Sequence, residues 1–186
     1  MRSESRELIE EFAGPTAPPQ SILMDSWQRP VKYLRVSVTD RCNYRCRYCM
    51  PEGDWQASHR DNILTLEEVA RIVGLLAQQG LKKVRLTGGE PLLRKNLCQL
   101  VSWIAQTPGV DTIAMTTNGH LLERFAESLF EAGLNRLNVS LDSFDEERFH
   151  RLTGGGDLGR VLKGLSKAGA AGFDDIQINA VLAQTL

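Results

Sequence analysis

Tyr33-Leu-Arg-Val-Ser-Val-Thr-Asp-Arg-Cys-Asn-Tyr-Arg-Cys-Arg-Tyr-Cys-Met-Pro51 joins an alternating, β-branched run to a loop carrying Cys42, Cys46 and Cys49. The run Tyr33–Val38 has a strand's period of two, with Leu34, Val36 and Val38 opposing Arg35, Ser37 and Thr39. Three thiols on one short loop can meet at a single metal centre. The fourth cysteine, Cys98, lies far along the chain in a helical pattern. A structural zinc site closes with four ligands, and a four-iron cluster takes one thiolate per iron. Three ligands leave a position open, as catalytic metal sites do. Cys46-Arg-Tyr-Cys49 alone also fits a thioredoxin-like redox pair, although that motif has no use for Cys42. A zinc half-site completed by Cys98 or a histidine is the other possibility, although no second C-x-x-C or H-x-x-x-H pair is present.

Downstream, strand-like segments at 82–86, 111–116, 135–140 and 175–181 alternate with helical patterns. Thr65-Leu-Glu-Glu68 is a capping box, followed by an apolar face at Val69, Ile72, Val73 and Leu76. Further helices are expected near 95–106, 120–131 and 159–171, the second of these burying Leu122, Phe125, Ala126 and Leu129. Alternation at this spacing predicts repeated βα units and a parallel sheet, an α/β fold. Each strand has one polar face: Arg35 and Ser37, then Arg85 and Thr87, then Arg136, Asn138 and Ser140, then Gln177 and Asn179. A parallel sheet covered on both sides is normally apolar on both. The pattern therefore predicts a curved sheet or partial barrel with a wet, ligand-bearing concave face. Four polar clusters follow successive strand ends: the cysteine loop, Thr87-Gly-Gly-Glu-Pro91, Thr116-Thr-Asn-Gly119 and Ser140-Leu-Asp-Ser143. That edge is where parallel α/β folds build their sites.

The Cys-x-x-x-Cys-x-x-Cys spacing, with Tyr48 before the last cysteine, resembles the signature of the radical S-adenosylmethionine (SAM) enzymes. Together with Arg85-Leu-Thr-Gly-Gly-Glu-Pro-Leu-Leu-Arg94, Thr116-Thr-Asn-Gly119 and Asn138-Val-Ser-Leu-Asp142, it resembles the GTP 3′,8-cyclase family of molybdenum-cofactor synthesis. The resemblance runs from about residue 31 onward. It implies a radical SAM partial barrel over 31–186, truncated after the fifth strand; by composition, with Gly14-Pro-Thr-Ala-Pro-Pro19 breaking any helix, residues 1–30 are expected to be a mobile or loosely docked extension. It implies one [4Fe–4S] cluster on Cys42, Cys46 and Cys49. SAM would be bound by Tyr48, Gly89, Glu90 and Ser140, with Glu90 facing its ammonium. GTP would be bound by Arg35, Arg85 and Thr116. The implied reaction cleaves SAM reductively to a 5′-deoxyadenosyl radical that takes hydrogen from C3′ of GTP, a lyase chemistry needing an electron donor.

Two departures qualify the resemblance. Gln177 stands where the family pattern has a lysine, and the segment bearing a second cluster in that family is missing. The chain alone is therefore expected not to complete turnover, and to pair with a second copy or with a missing C-terminal half. The alternatives are a cluster- or nucleotide-binding module without turnover and a peptide-modifying radical enzyme, the latter disfavoured by Arg35 and Arg85. His59, His120 and His150 are expected at the surface and outside the chemistry. A net charge of −1 offers no field for nucleic acid or membrane. The N-terminus lacks a secretory apolar core, and the cysteines are bunched rather than spread for disulfides, so the cytoplasm is expected.

Overall fold

The computed structural model describes residues 22–50 and 62–182. Five strands form one parallel sheet in chain order: β1 (Tyr33–Ser37), β2 (Lys83–Thr87), β3 (Thr112–Thr117), β4 (Arg136–Ser140) and β5 (Ile176–Asn179). Between them run α1 (Leu66–Ala77), α2 (Leu97–Ala105), α3 (Leu122–Glu131), α4 (Glu146–Thr153) and α5 (Leu158–Ala171). Strand order equal to chain order, with a helix in each crossover, is the advance of a (βα) barrel; the described residues supply four such crossovers and five strands.

One face of this sheet is the core. Val84, Leu86, Ile113, Met115, Leu137 and Val139 are buried there against the helices. The other face carries the polar residues, in register: Arg35 pairs with Arg85, and Thr116 with Asn138, which pairs with Gln177. The period-two reading of the strands therefore assigns the faces correctly.

Local chemistry sets the helix limits. Thr65 caps α1 in a complete capping box, its hydroxyl accepting from the Glu68 amide at 3.2 Å and its own amide donating to Glu68 at 2.7 Å. The buried stripe of α1 is Leu66, Val69, Ala70 and Val73, while Ile72 is exposed, so the apolar face is rotated from the expected one. Phe125 of α3 is only partly buried, in contrast to Leu122, Ala126 and Leu129.

Helix α4 was not anticipated. Its signals are the Asp145 N-cap, whose carboxylate accepts from the Arg148 amide at 2.7 Å, and a left-handed Gly154 at its end. At eight residues it falls below the length at which apolar periodicity is persuasive.

Within the expected extension, residues 22–30 form a docked turn. Met24 bridges Pro30, Asp25 pairs with Arg29, and the Leu23 amide donates to the Gln79 carbonyl at 3.1 Å. The rest of that expectation, residues 1–21, lies outside the described residues, as does His59.

Candidate functional site

The loop after β1 is gripped on two sides by backbone. In front, the Gly89 amide donates to the Thr39 carbonyl and the Glu90 amide to the Arg41 carbonyl, each at 2.7 Å. Behind, the Arg45 and Arg47 amides donate to the Thr153 and Leu152 carbonyls at the end of α4. Such closeness explains two glycines. A Cβ on Gly88 would lie 2.5 Å from the Thr39 carbonyl oxygen, and one on Gly89 2.3 Å from that of Arg41. The bare backbone here admits the cysteine loop.

Tyr44, between two of the cysteines, is 3% exposed. Its ring meets His120 and Phe149 edge-on, and its hydroxyl lies 3.2 Å from His120 Nδ1. Burial pushes the phenol's pKa up and that of the half-buried His120 down, the latter helped by Arg160. His120 is therefore a support of the loop rather than a surface residue; His150 is exposed, as expected. Sequence reasoning missed Tyr44. Its signal was an aromatic residue inside an otherwise polar, charged loop.

Cys42, Cys46 and Cys49 are free, the first two half-buried and the third exposed. Cys42 Sγ receives the Tyr44 amide at 3.4 Å and the Asn118 amide group at 3.9 Å. Burial pushes the Cys42 and Cys46 thiols up, Cys46 to about 11, and the neighbouring thiols add to both shifts. Among the described residues no three His, Cys, Asp or Glu side chains already stand as the ligand set of one metal ion. Three thiols that each raise a neighbour's pKa gather as thiolates only against a cation. Soft sulfur donors, partial burial and N–H groups aimed at sulfur fit an iron–sulfur cluster with one iron left open.

Glu90 is 1% exposed and faces inward. Its Oε1 accepts from the Leu92 amide at 3.1 Å and the Thr117 hydroxyl at 2.7 Å; its Oε2 accepts from the Asn118 amide at 2.7 Å. It ties the loop after β2 to the loop after β3. Burial drives its carboxyl above the ordinary range despite these bonds. Tyr48, 42% exposed, donates its hydroxyl to Asp142 Oδ2 at 2.6 Å, linking the cysteine loop to the loop after β4. Ser140 closes β4 on the polar face and is partly exposed.

On that face Arg35 is exposed. Arg85 is half-buried, and its Nη1 donates to Thr116 Oγ1 at 3.1 Å and to Asn138 Oδ1. Neither arginine has an acidic partner among the described residues. The structure thus gathers Arg35, Arg85 and Thr116 on one face. It sets the cysteine loop, Gly89 and Ser140 along that face's C-terminal edge.

Residues 36–184 match the radical SAM superfamily. The chain is 47% identical over 161 residues to a GTP 3′,8-cyclase of Alkaliphilus metalliredigens, covering 86% of this chain and 50% of the relative. It is 49% identical over 160 residues to a GTP 3′,8-cyclase of Syntrophomonas wolfei, covering 86% and 49%. The chain thus spans about half the length of these curated relatives. Among solved structures it resembles SuiB of Streptococcus suis bound to precursor peptide SuiA, with a TM-score of 0.70 at 20% identity, over 84% of this chain and 34% of that one. It also resembles HydG, a maturase of the [FeFe]-hydrogenase, with a TM-score of 0.65 at 18% identity, over 97% and 47%. At these identities the structural likeness concerns the fold alone.

Proposed function

Because this chain belongs to the radical SAM superfamily, we propose that it is the cluster-, SAM- and GTP-binding part of a GTP 3′,8-cyclase. The observation that carries the GTP reading is Arg35 standing directly opposite Arg85 on adjacent strands, without an acidic partner among the described residues. Like charges facing each other across a ladder are destabilising, and a polyphosphate relieves them bidentately. The relatives' name supports guanosine triphosphate as its bearer.

In this reading residues 31–186 are the barrel portion. Cys42, Cys46 and Cys49 would hold one [4Fe–4S] cluster, which with SAM bound would supply the one-electron reductive chemistry of the reaction. Tyr48, Gly89 and Ser140 line the SAM site at the sheet edge. Glu90 acts through the two loops it joins, holding the Gly88-Gly89 backbone against the cysteine loop. Arg35, Arg85 and Thr116 hold the triphosphate on the concave face and so fix the ribose relative to the rim. An external one-electron donor completes the set of partners. Cytoplasmic localisation is part of the proposal; no helix among the described residues is long and apolar enough to cross a membrane.

Anaerobic reconstitution tests it. The protein should bind about four irons, lost in Cys42→Ala, Cys46→Ala or Cys49→Ala and kept in Cys98→Ala. Calorimetry should show GTP binding that Arg85→Ala weakens by about 2–4 kcal/mol if the site is desolvated. Iron retained by a variant lacking all three loop cysteines would overturn the cluster assignment. Equal GTP affinity in wild type and the Arg35→Ala/Arg85→Ala variant would overturn the substrate. A second reading, a binding module without turnover, is favoured by Gln177 in place of a cation on this face. It predicts bound iron and nucleotide without 5′-deoxyadenosine formation.

A further inference from the structure

We propose that Asn138 is a positioning residue that aims the Arg85 guanidinium at the substrate phosphate, with Gln177 as the lock on its orientation; this rests on the GTP reading above. Three residues from β2, β4 and β5 form a ladder across the concave face, with Thr116 of β3 beside it. Arg85 Nη1 donates to Asn138 Oδ1, and Asn138 Nδ2 donates to Gln177 Oε1 at 2.7 Å. Asn138 is 5% exposed, so it stands beneath the open face rather than on it.

The polarity of this ladder is forced. A guanidinium can only donate, so Asn138 must turn its carbonyl oxygen toward Arg85. Its amide nitrogen then faces β5 and needs an acceptor, which only the carbonyl end of Gln177 supplies. The direction follows from donor and acceptor counting and does not depend on which amide end is drawn as oxygen. A lysine at 177 could not fill this role, because ammonium has no acceptor. The glutamine thus braces Arg85 through Asn138. With Nη1 occupied by Thr116 and Asn138, the remaining N–H groups of Arg85 are held in one plane for a ligand. A preorganised cation binds an anion more tightly than one that must first be ordered.

The test uses the isotope-labelled 186-residue chain, with inorganic tripolyphosphate as probe. Gln177 is exposed, so Gln177→Leu should fold normally. In the unliganded protein, the order parameter of the Arg85 Nε–H group should fall in Gln177→Leu and fall further in Asn138→Leu. Calorimetric Kd for tripolyphosphate should rise about threefold and about tenfold respectively, the scale of one weakened or lost hydrogen bond to a charged group. A role in folding alone would lower melting temperature without altering Arg85 motion in the folded protein. Should Asn138→Leu fail to fold, Gln177→Leu decides. Unchanged Arg85 relaxation in folded Gln177→Leu overturns the inference and leaves the GTP reading standing. Absence of tripolyphosphate binding by the wild type, with Arg85 motion still responding, would leave the ladder as built and overturn its purpose and the phosphate site together.

Discussion

The cysteine rim and the concave strand face lie side by side and are held by different means. At the rim, backbone meets backbone: Gly89 and Glu90 bond to Thr39 and Arg41, and Arg45 and Arg47 bond to the end of α4. A buried carboxylate and a buried phenol complete the grip. On the face, side chains bond to one another across strands, and Arg35 and Gln177 remain exposed. Backbone bonds and buried groups fix positions to within the packing tolerance of a core, whereas exposed side chains can reorient. The rim is thus suited to hold a centre whose geometry must not vary, and the face to receive a flexible, charged ligand.

That contrast breaks most sharply at Gly89. Gly89→Ala places a Cβ 2.3 Å from the Arg41 carbonyl oxygen, and rigid backbone on both sides leaves little room to yield. A stability loss of about 3 kcal/mol or more is expected in chemical denaturation. A loss under about 1 kcal/mol would mean that the two loops separate easily, and the rim is softer than described.

Glu90→Gln comes next, at about 2 kcal/mol. Three donors point at the two carboxylate oxygens, and an amide turned either way sets its NH2 against one of them. Glu90 also has a signature in pH. Its folded carboxyl titrates above the ordinary value of 4.5, so the folded state keeps the proton longer than the unfolded chain does. Its contribution to stability therefore declines as pH rises from about 4.5 to its elevated folded value, and is flat above that. Glu90→Gln should remove this component from a pH series of melting temperatures.

Tyr44→Phe keeps the ring contacts and deletes the hydroxyl that meets His120 at 3.2 Å. About 1 kcal/mol is expected from thermal denaturation, most of it absent in a His120→Ala background. Equal losses in both backgrounds would mean that the hydroxyl acts through the Asp157 backbone rather than through His120.

The smallest effect falls on the face and has the opposite sign. Arg35→Ala removes one of two guanidinium groups in direct register, and should leave stability unchanged or raise it by about 0.5 kcal/mol at low salt. A clear loss would show that Arg35 has a structural task, which sharpens the contrast into a correction.

Much of this was legible beforehand. The capping box at Thr65, the five strands and the division of each strand into apolar and polar faces follow from local chemistry and from period two. Helix α4 was not, because an N-cap, two acidic residues and a glycine stop were its only strong signals. Cys42, Cys46 and Cys49 stand out because no ordinary structural use explains their spacing. Tyr44, Asn118 and Asn138 do not, because asparagine and tyrosine in loops and strands have many ordinary roles.

By itself the sequence determined the parallel βα order, the polar concave face and the identity of the soft donors. All of these depend on residue type and on spacing within one segment. Only the tertiary structure decided that Glu90 turns inward, that Gly89 makes room for the cysteine loop, and that Asn138 stands between Arg85 and Gln177. Each depends on groups from separate strands, tens of residues apart in the chain. Their distances are set by sheet register and packing, which no local pattern encodes.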